Sequence, residues 1–387
     1  MSDFISPNGV FSIGIVPMTA HSADNDTNPV VHPTGINLET VMLTDHRGGA
    51  TNQDNGMILR VPGRGGVVTV IVVADGHGHY PYNVGEVISS LTSNAVTRFV
   101  LDETPREHES DNYFDDYFCR MFTWVNNQVI QSLCASDERY DLRDEELYSM
   151  FYFGDKVVRG GTTLTVTIIY PDGIVVTGNL GDSDAKLFAR RSMKMQSITE
   201  EHDVLNSTDC LTITASHSPA SYREKNLIEL NADVRGMMYL YDTMNKIRPP
   251  IFDESNKMVD PKSLSHQYRL YFKNTSKEFA SLIMTPGREP QSLAYTRSIG
   301  DYGLVPYGKT HKPSVSRFVL QPGDYFLVAS DGFWDVHQNE VVGRCLLGEP
   351  ELSMEEKIRT LFDATSVEKS PFGETQDNTT VIAVRIA

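Results

Sequence analysis

Four aspartates stand where a β-strand would begin or end. Asp75 follows the run Val67–Ala74, Asp182 follows IVVTGNLG, Asp331 follows YFLVAS, and Asp377 precedes NTTVIAVRI. Each adjoins Gly, Asn or Ser, residues that let the backbone turn closely. One such aspartate is ordinarily a turn residue. Four of them, if the strand ends converge, make a cluster that stays anionic only with cations in its midst. Oxygen ligands without a thiolate select Mg²⁺, Mn²⁺ or Ca²⁺ over zinc. The Asp75 strand ends in Asp-Gly-His-Gly-His, so His77 stands at the same rim. Its imidazole suits proton donation near neutral pH. His79 is assigned no role.

These residues need elements to hold them. Val67–Ala74 is short and β-branched and reads as a buried strand. The segments TTLTVTIIY (162–170) and IVVTGNL (174–180) flank Pro-Asp-Gly and read as a hairpin. DAKLFARR (184–191), YFLVAS (325–330) and TTVIAVRI (379–386) are further strands. Helical spacing covers 86–101, 341–347 and 354–362, and 111–150 is expected to be helical with a break near 135–139. Residues 235–288 are polar, Pro-rich and weakly periodic, and read as an insertion or lid. The pattern fits an α+β layered domain.

The bulk properties narrow the partners. The 387 residues, 40% hydrophobic, suffice for a core and one or two domains. Thirty-four basic and 51 acidic residues give a formal charge of −17, which disfavours nucleic acid and anionic lipid as main ligands. Cys119, Cys134, Cys210 and Cys345 have neither zinc spacing nor a Cys-x-x-Cys pair, and read as thiols in a reducing compartment. MSDFISPNGV does not read as a signal peptide, and Val67–Ala74 is too short to span a bilayer. The sequon at Asn206 is incidental on this reading. The expectation is a soluble intracellular monomer, cytoplasmic or nuclear.

The chain resembles the metal-dependent Ser/Thr protein phosphatases of the 2C type. The resemblance rests on NQD (52–54), VVADGHGHY (72–80), GGTTLTV (160–166), GNLGDSDAKLF (178–188), LAYTRSIGDYG (293–303), VASDGFWDV (328–336) and QDNTTVIAV (376–384), in that order. A weaker piece, 214–234, resembles the family's His-x-Pro segment and the helix after it. The matches run from about residue 50 to the C-terminus. The implied fold is a β-sandwich of two antiparallel sheets flanked by helix pairs, four layers αββα. The implied organisation is an N-terminal extension (1–40) and a phosphatase domain (41–387) with a long flap insertion at about 235–288.

The resemblance also implies roles. Asp75 would bridge two Mg²⁺ or Mn²⁺ ions, and the Gly76 carbonyl would bind one of them. Asp331 and Asp377 would complete the second ion's ligands, and Asp54 would hold metal-bound water from behind. Asp182 and Asp335 match positions linked to a third metal. His77 would be the general acid toward phosphoserine or phosphothreonine in protein substrates. Thr162, Thr163, Arg297 and Asp301 are expected to be structural. Three departures stand out. Gln53 replaces a frequent acid. The family's phosphate-binding Arg falls at Gly49, leaving Arg47 as the nearest candidate. The insertion is long and is expected to shape substrate choice. The alternative is a pseudophosphatase, the same fold kept as a binding module. GLVPYGKT (303–310) fits a nucleotide phosphate loop, but Pro313 denies it the helix that loop requires.

Overall fold

The strand Val67–His77 is buried on both faces, which explains its unbroken apolar run. Val68, Val70, Val72 and Ala74 pack on one side, with Ile88, Val96, Phe118 and Phe122. Ile71 and Val73 face the other way, toward Leu187, Phe326, Val328, Ile382 and Val384. That alternation sets a layered structure, seen in a computed structural model. It describes residues 30–31, 37–47, 51–63, 65–78, 84–107, 109–144, 149–199, 206–207, 209–232, 237–240, 249–264, 281–285, 291–348, 351–367 and 377–386.

Two antiparallel sheets stack face to face. In one, the strands Met195–Ser197, Ser314–Val319, Ile174–Leu180, Leu164–Ile169, Val67–His77, Gly161–Thr162 and Ile299–Gly300 follow in that order, and Asp54–Pro62 also pairs with Val67–His77. In the other the order is Val30–Val31, Asn37–Asp45, Thr379–Ile386, Tyr325–Ala329, Ala185–Phe188, Cys210–Thr212 and Asn206–Ser207. Helices Gly85–Asp102 and Asp111–Ser136 pack on the outside of the first sheet. Helices Asn339–Gly348 and Met354–Val367 pack on the outside of the second, through Val342, Leu346, Met354 and Ile358. This is the expected four-layer αββα sandwich.

Some boundaries differ from expectation. The helix at 111 stops at Ser136, and 140–144 and 149–150 are strand rather than helix. Tyr140–Asp144 and Ser149–Phe153 form a hairpin instead, with Tyr140 opposite Phe153. Tyr140 stacks at 5.6 Å on Phe151 and lies 4.8 Å from Phe153. Such cross-strand aromatic pairs favour a sheet. The boundary expected at residue 40 falls inside the strand Asn37–Asp45, which pairs along its length with Leu38↔Ile386 through Asp45↔Thr379. Residues 1–29 lie outside the described residues, as does much of the insertion. Within the insertion, Met237–Leu240 and Ser281–Met284 join Ser292–Leu293 in a small sheet.

The phosphate-loop pattern is refuted by its conformation. Tyr302–Tyr307 is a 3₁₀ turn, and Lys309 is buried with its Nζ donating to the Gly300 carbonyl at 2.5 Å. Burial pushes that amine down to about 8.

The 26-residue helix Asp111–Ser136 starts on Ser110, whose Oγ accepts the Tyr113 N–H at 3.3 Å. Ser110→Ala is expected to cost about 1 kcal/mol, read as a lower urea midpoint at unchanged slope.

Candidate active site

Register puts two carboxylates face to face. Asp54 and Asp75 are directly opposite on neighbouring antiparallel strands. Like charges so placed destabilise a sheet. Both are nevertheless held firmly. The Asp75 N–H donates to Thr163 Oγ1 at 3.0 Å, and its carbonyl accepts the Thr163 N–H at 2.9 Å. Thr163, expected only to pack, thus anchors the acid-bearing backbone. Ser330 Oγ donates to Asp54 Oδ2 at 2.7 Å and accepts the Thr380 N–H at 2.9 Å. Asp54 Oδ1 is buried with no hydrogen-bond partner among the described residues.

The other two strand ends arrive beside this pair. Asp331 opens the short helix Asp331–Trp334, directly after Ser330. A Cβ at Gly332 would sit 2.1 Å from the Asn378 carbonyl, so glycine is what lets the Asp331 and Asp377 segments meet. Asn378 accepts the Gln53 N–H on Oδ1 at 2.8 Å and donates to the carbonyls of His46 and Thr51 at 3.1 and 3.3 Å. The result is a cleft of about 900 Å³ whose walls include Asp75, Gly76, His77, Asp182, Asp301, Asp331 and Asp377.

The carboxylates of this cleft act on one another. Burial drives the Asp75 carboxyl well above the ordinary carboxylate range, and Asp331, Asp54, Asp377 and Asp182 drive it further. Burial also lifts Asp54 to about 7; the Ser330 hydroxyl opposes the rise and the Asp331 charge adds to it. The donors are all oxygen, and one buried carboxylate oxygen lacks a partner, so the residues fit hard divalent ions. Among the described residues no three ligand side chains already close on one point. The carboxylates share one cleft.

His77 is held from both sides. Its Nε2 lies 2.8 and 2.9 Å from the two carboxylate oxygens of Asp301, and its Nδ1 lies 2.6 Å from the Tyr295 hydroxyl. Burial raises the Tyr295 hydroxyl well above its ordinary value, and Asp182 and Asp301 add to the rise, so it stays protonated, a hydroxyl able to donate to Nδ1 or accept from it. Asp301 as a carboxylate can only accept, so Nε2 carries a proton and donates to it. Burial alone would raise the Asp301 carboxyl, but His77, Lys309 and Ser298 hold it below the usual range. Gln291 Nε2 and Ser298 Oγ also donate to Asp301, at 3.3 and 2.7 Å.

Asp75, Gly76, His77, Asp182, Asp331 and Asp377 therefore line one cleft, with Asp54 behind it. Asp335 sits a turn beyond Asp331 and is not among the lining residues. Arg47 is corrected as the phosphate ligand. Its guanidinium lies 4.1 Å over the Phe362 ring, donates to Asp45 and to the Phe362 carbonyl, and does not line the cleft. Gly49 lies outside the described residues. Asp301 is more than structural, and Tyr295 was missed. Both belong to LAYTRSIGDYG, but nothing local tells that the segment reaches a histidine more than 200 positions earlier.

Residues 278–345 match the family model "Protein phosphatase 2C". A rice relative, "Probable protein phosphatase 2C 48" (Oryza sativa subsp. japonica), is 36% identical over 70 residues, 18% of this chain and 20% of its own length. Another, "Probable protein phosphatase 2C 8" from the same plant, is 37% identical over 103 residues, 24% of this chain and 25% of its own. The chain thus spans about a fifth to a quarter of the length of these two curated relatives. Among solved structures, the serine-threonine phosphatase 2C from Toxoplasma gondii superposes with a TM-score of 0.55 at 18% identity, covering 93% of this chain and 97% of that one. Over these stretches the chain is similar to protein phosphatases 2C, and its fold is that of the Toxoplasma gondii structure.

Proposed function

We propose that the protein is a metal-dependent phosphatase that hydrolyses phosphoserine and phosphothreonine in protein substrates. The observation that carries this reading is the convergence of Asp54, Asp182, Asp331 and Asp377 around Asp75. Asp75, Gly76, Asp331 and Asp377 would hold Mg²⁺ or Mn²⁺, with Asp54 behind them and Asp182 for a further ion. When bound, such ions lower the pKa of water and place positive charge against phosphoryl oxygens. His77 faces the same cleft and is the residue to protonate the leaving serine or threonine oxygen. Its two hydrogen bonds fix the ring; the proton given up comes from the imidazolium, which returns to neutral imidazole as the alcohol leaves. Delivering that proton requires the ring to exchange one of these partners for the substrate, a rearrangement that substrate binding commonly induces.

The test is hydrolysis of an aryl phosphate and of a phosphothreonine peptide, with Mn²⁺, with Mg²⁺ and with chelator. The expected result is turnover with either metal and none in chelator. A folded protein inactive under every metal would overturn the reading and leave a binding module.

A further inference from the structure

We propose that Arg159, with Lys156 beside it, binds the phosphoryl oxygens of the substrate; this rests on the phosphatase reading. The cleft is lined by the carboxylates of Asp75, Asp182, Asp301, Asp331 and Asp377 and, among its lining residues, by two basic side chains, Lys156 and Arg159. A phosphate ester is an anion, and a wall of carboxylates repels it. Protein cations must meet whatever part of that charge is not met by bound metal. Arg47, the basic residue expected from the sequence, is turned away onto Phe362 with its side chain only 6% exposed.

Arg159 is placed for the task by its neighbours. Val158 is fully buried, and its N–H donates to the Phe151 carbonyl at 2.9 Å. Gly160 has φ +118°, and a Cβ there would lie 2.6 Å from the His77 carbonyl. The Gly160 carbonyl accepts the Asp301 N–H at 2.9 Å, and Gly161 pairs with His77 in register. The Arg159 backbone is therefore tied on one side to the hairpin strand Ser149–Phe153 and on the other, through Gly161, to the strand bearing Asp75 and His77, while its side chain is exposed on the cleft wall. A fixed backbone carrying a guanidinium fork suits bidentate recognition of phosphoryl oxygens. Lys156, on the strand Lys156–Val157 of the adjoining hairpin, adds a point charge.

The experiment compares wild type with Arg159→Met, Arg159→Lys and Lys156→Met in the full chain. KM and kcat are measured on an aryl phosphate and on phosphothreonine peptides with neutral or acidic flanks, together with inhibition by inorganic phosphate. Arg159→Met is expected to raise KM on every substrate, and the phosphate inhibition constant, by about tenfold. The metal concentration for half-maximal activity should stay unchanged. Arg159→Lys should recover part of the loss, and Lys156→Met should show a smaller loss in the same direction. Lys194→Met, an exposed cation away from the cleft, should change nothing. Wild-type turnover with KM and phosphate inhibition unmoved by Arg159→Met would overturn the inference while the phosphatase reading stands. A loss confined to acidic flanks would overturn it too. If wild type does not turn over, anisotropy of a labelled phosphothreonine peptide against its unphosphorylated twin decides. A preference for the phosphorylated form that Arg159→Met abolishes supports the site, and equal binding refutes it.

Discussion

Asp75→Asn is expected to lower metal-dependent turnover by about a thousandfold, the loss of several kcal/mol of charge stabilisation. The same change is expected to raise stability when metal is withheld. In the metal-free fold the Asp75 carboxyl is buried among Asp331, Asp54, Asp377 and Asp182, all of one sign. Asn keeps the shape and removes the charge. The pH dependence follows from the same shifts. A carboxyl whose pKa is higher folded than unfolded binds more protons in the native state, so stability falls as pH rises. For Asp54 the fall begins near the ordinary value of 3.8 and is complete above about 7. In chelator, wild-type stability should therefore decline between about pH 4 and 7, and Mg²⁺ or Mn²⁺ should restore it at the upper end. Asp75→Asn should be the more stable protein above pH 7 in chelator and should gain less from metal. Denaturant titrations at several pH values check this. A mutant less stable than wild type in chelator would show that the cluster is not under electrostatic strain.

Asp301→Asn is expected to cut kcat on a phosphothreonine peptide by about a hundredfold, at the lower end of what a displaced general acid costs. Asp301 occupies left-handed backbone at φ 47°, which Asn tolerates well, so the turn itself should survive. What changes is the instruction given to His77. The carboxylate can only accept, and it holds the imidazole proton on Nε2. An amide can accept or donate, so the ring is no longer confined to one tautomer. An aryl phosphate, whose leaving group needs little protonation, should lose much less. Equal losses on both substrates would remove His77 from the acid role. Imidazole ¹⁵N shifts of His77 in the metal-free protein give a readout separate from activity, with a single tautomer in wild type and a mixture in the mutant. Lys309, buried nearby with a pKa of about 8, loses a neighbouring charge, so circular dichroism must accompany the kinetics.

Much of this protein is determined locally. The β-branched run Val67–Ala74, the Pro-Asp-Gly hairpin and the acids at strand ends are properties of short segments, because period-2 patterning and turn chemistry act over a few residues. The motif order then carried the resemblance to 2C-type phosphatases and what that resemblance implies for the carboxylates. Local pattern failed at 140–144 and 149–150, where aromatic pairing across strands, invisible to periodicity, overrode the helical reading. It failed again at Arg47, where a stacking partner 315 positions away claimed the guanidinium. Tyr295, Asp301 and Arg159 came to the site only through tertiary structure. Sheet pairing carries Gly161 to His77 and Ile299–Gly300 to Gly161–Thr162, and that register brings a tyrosine, a carboxylate and a cation to one imidazole and one cleft. Sequence names the groups that can do the chemistry; long-range register decides which of them meet, since hydrogen bonds and charge act over a few ångströms of space and not along the chain.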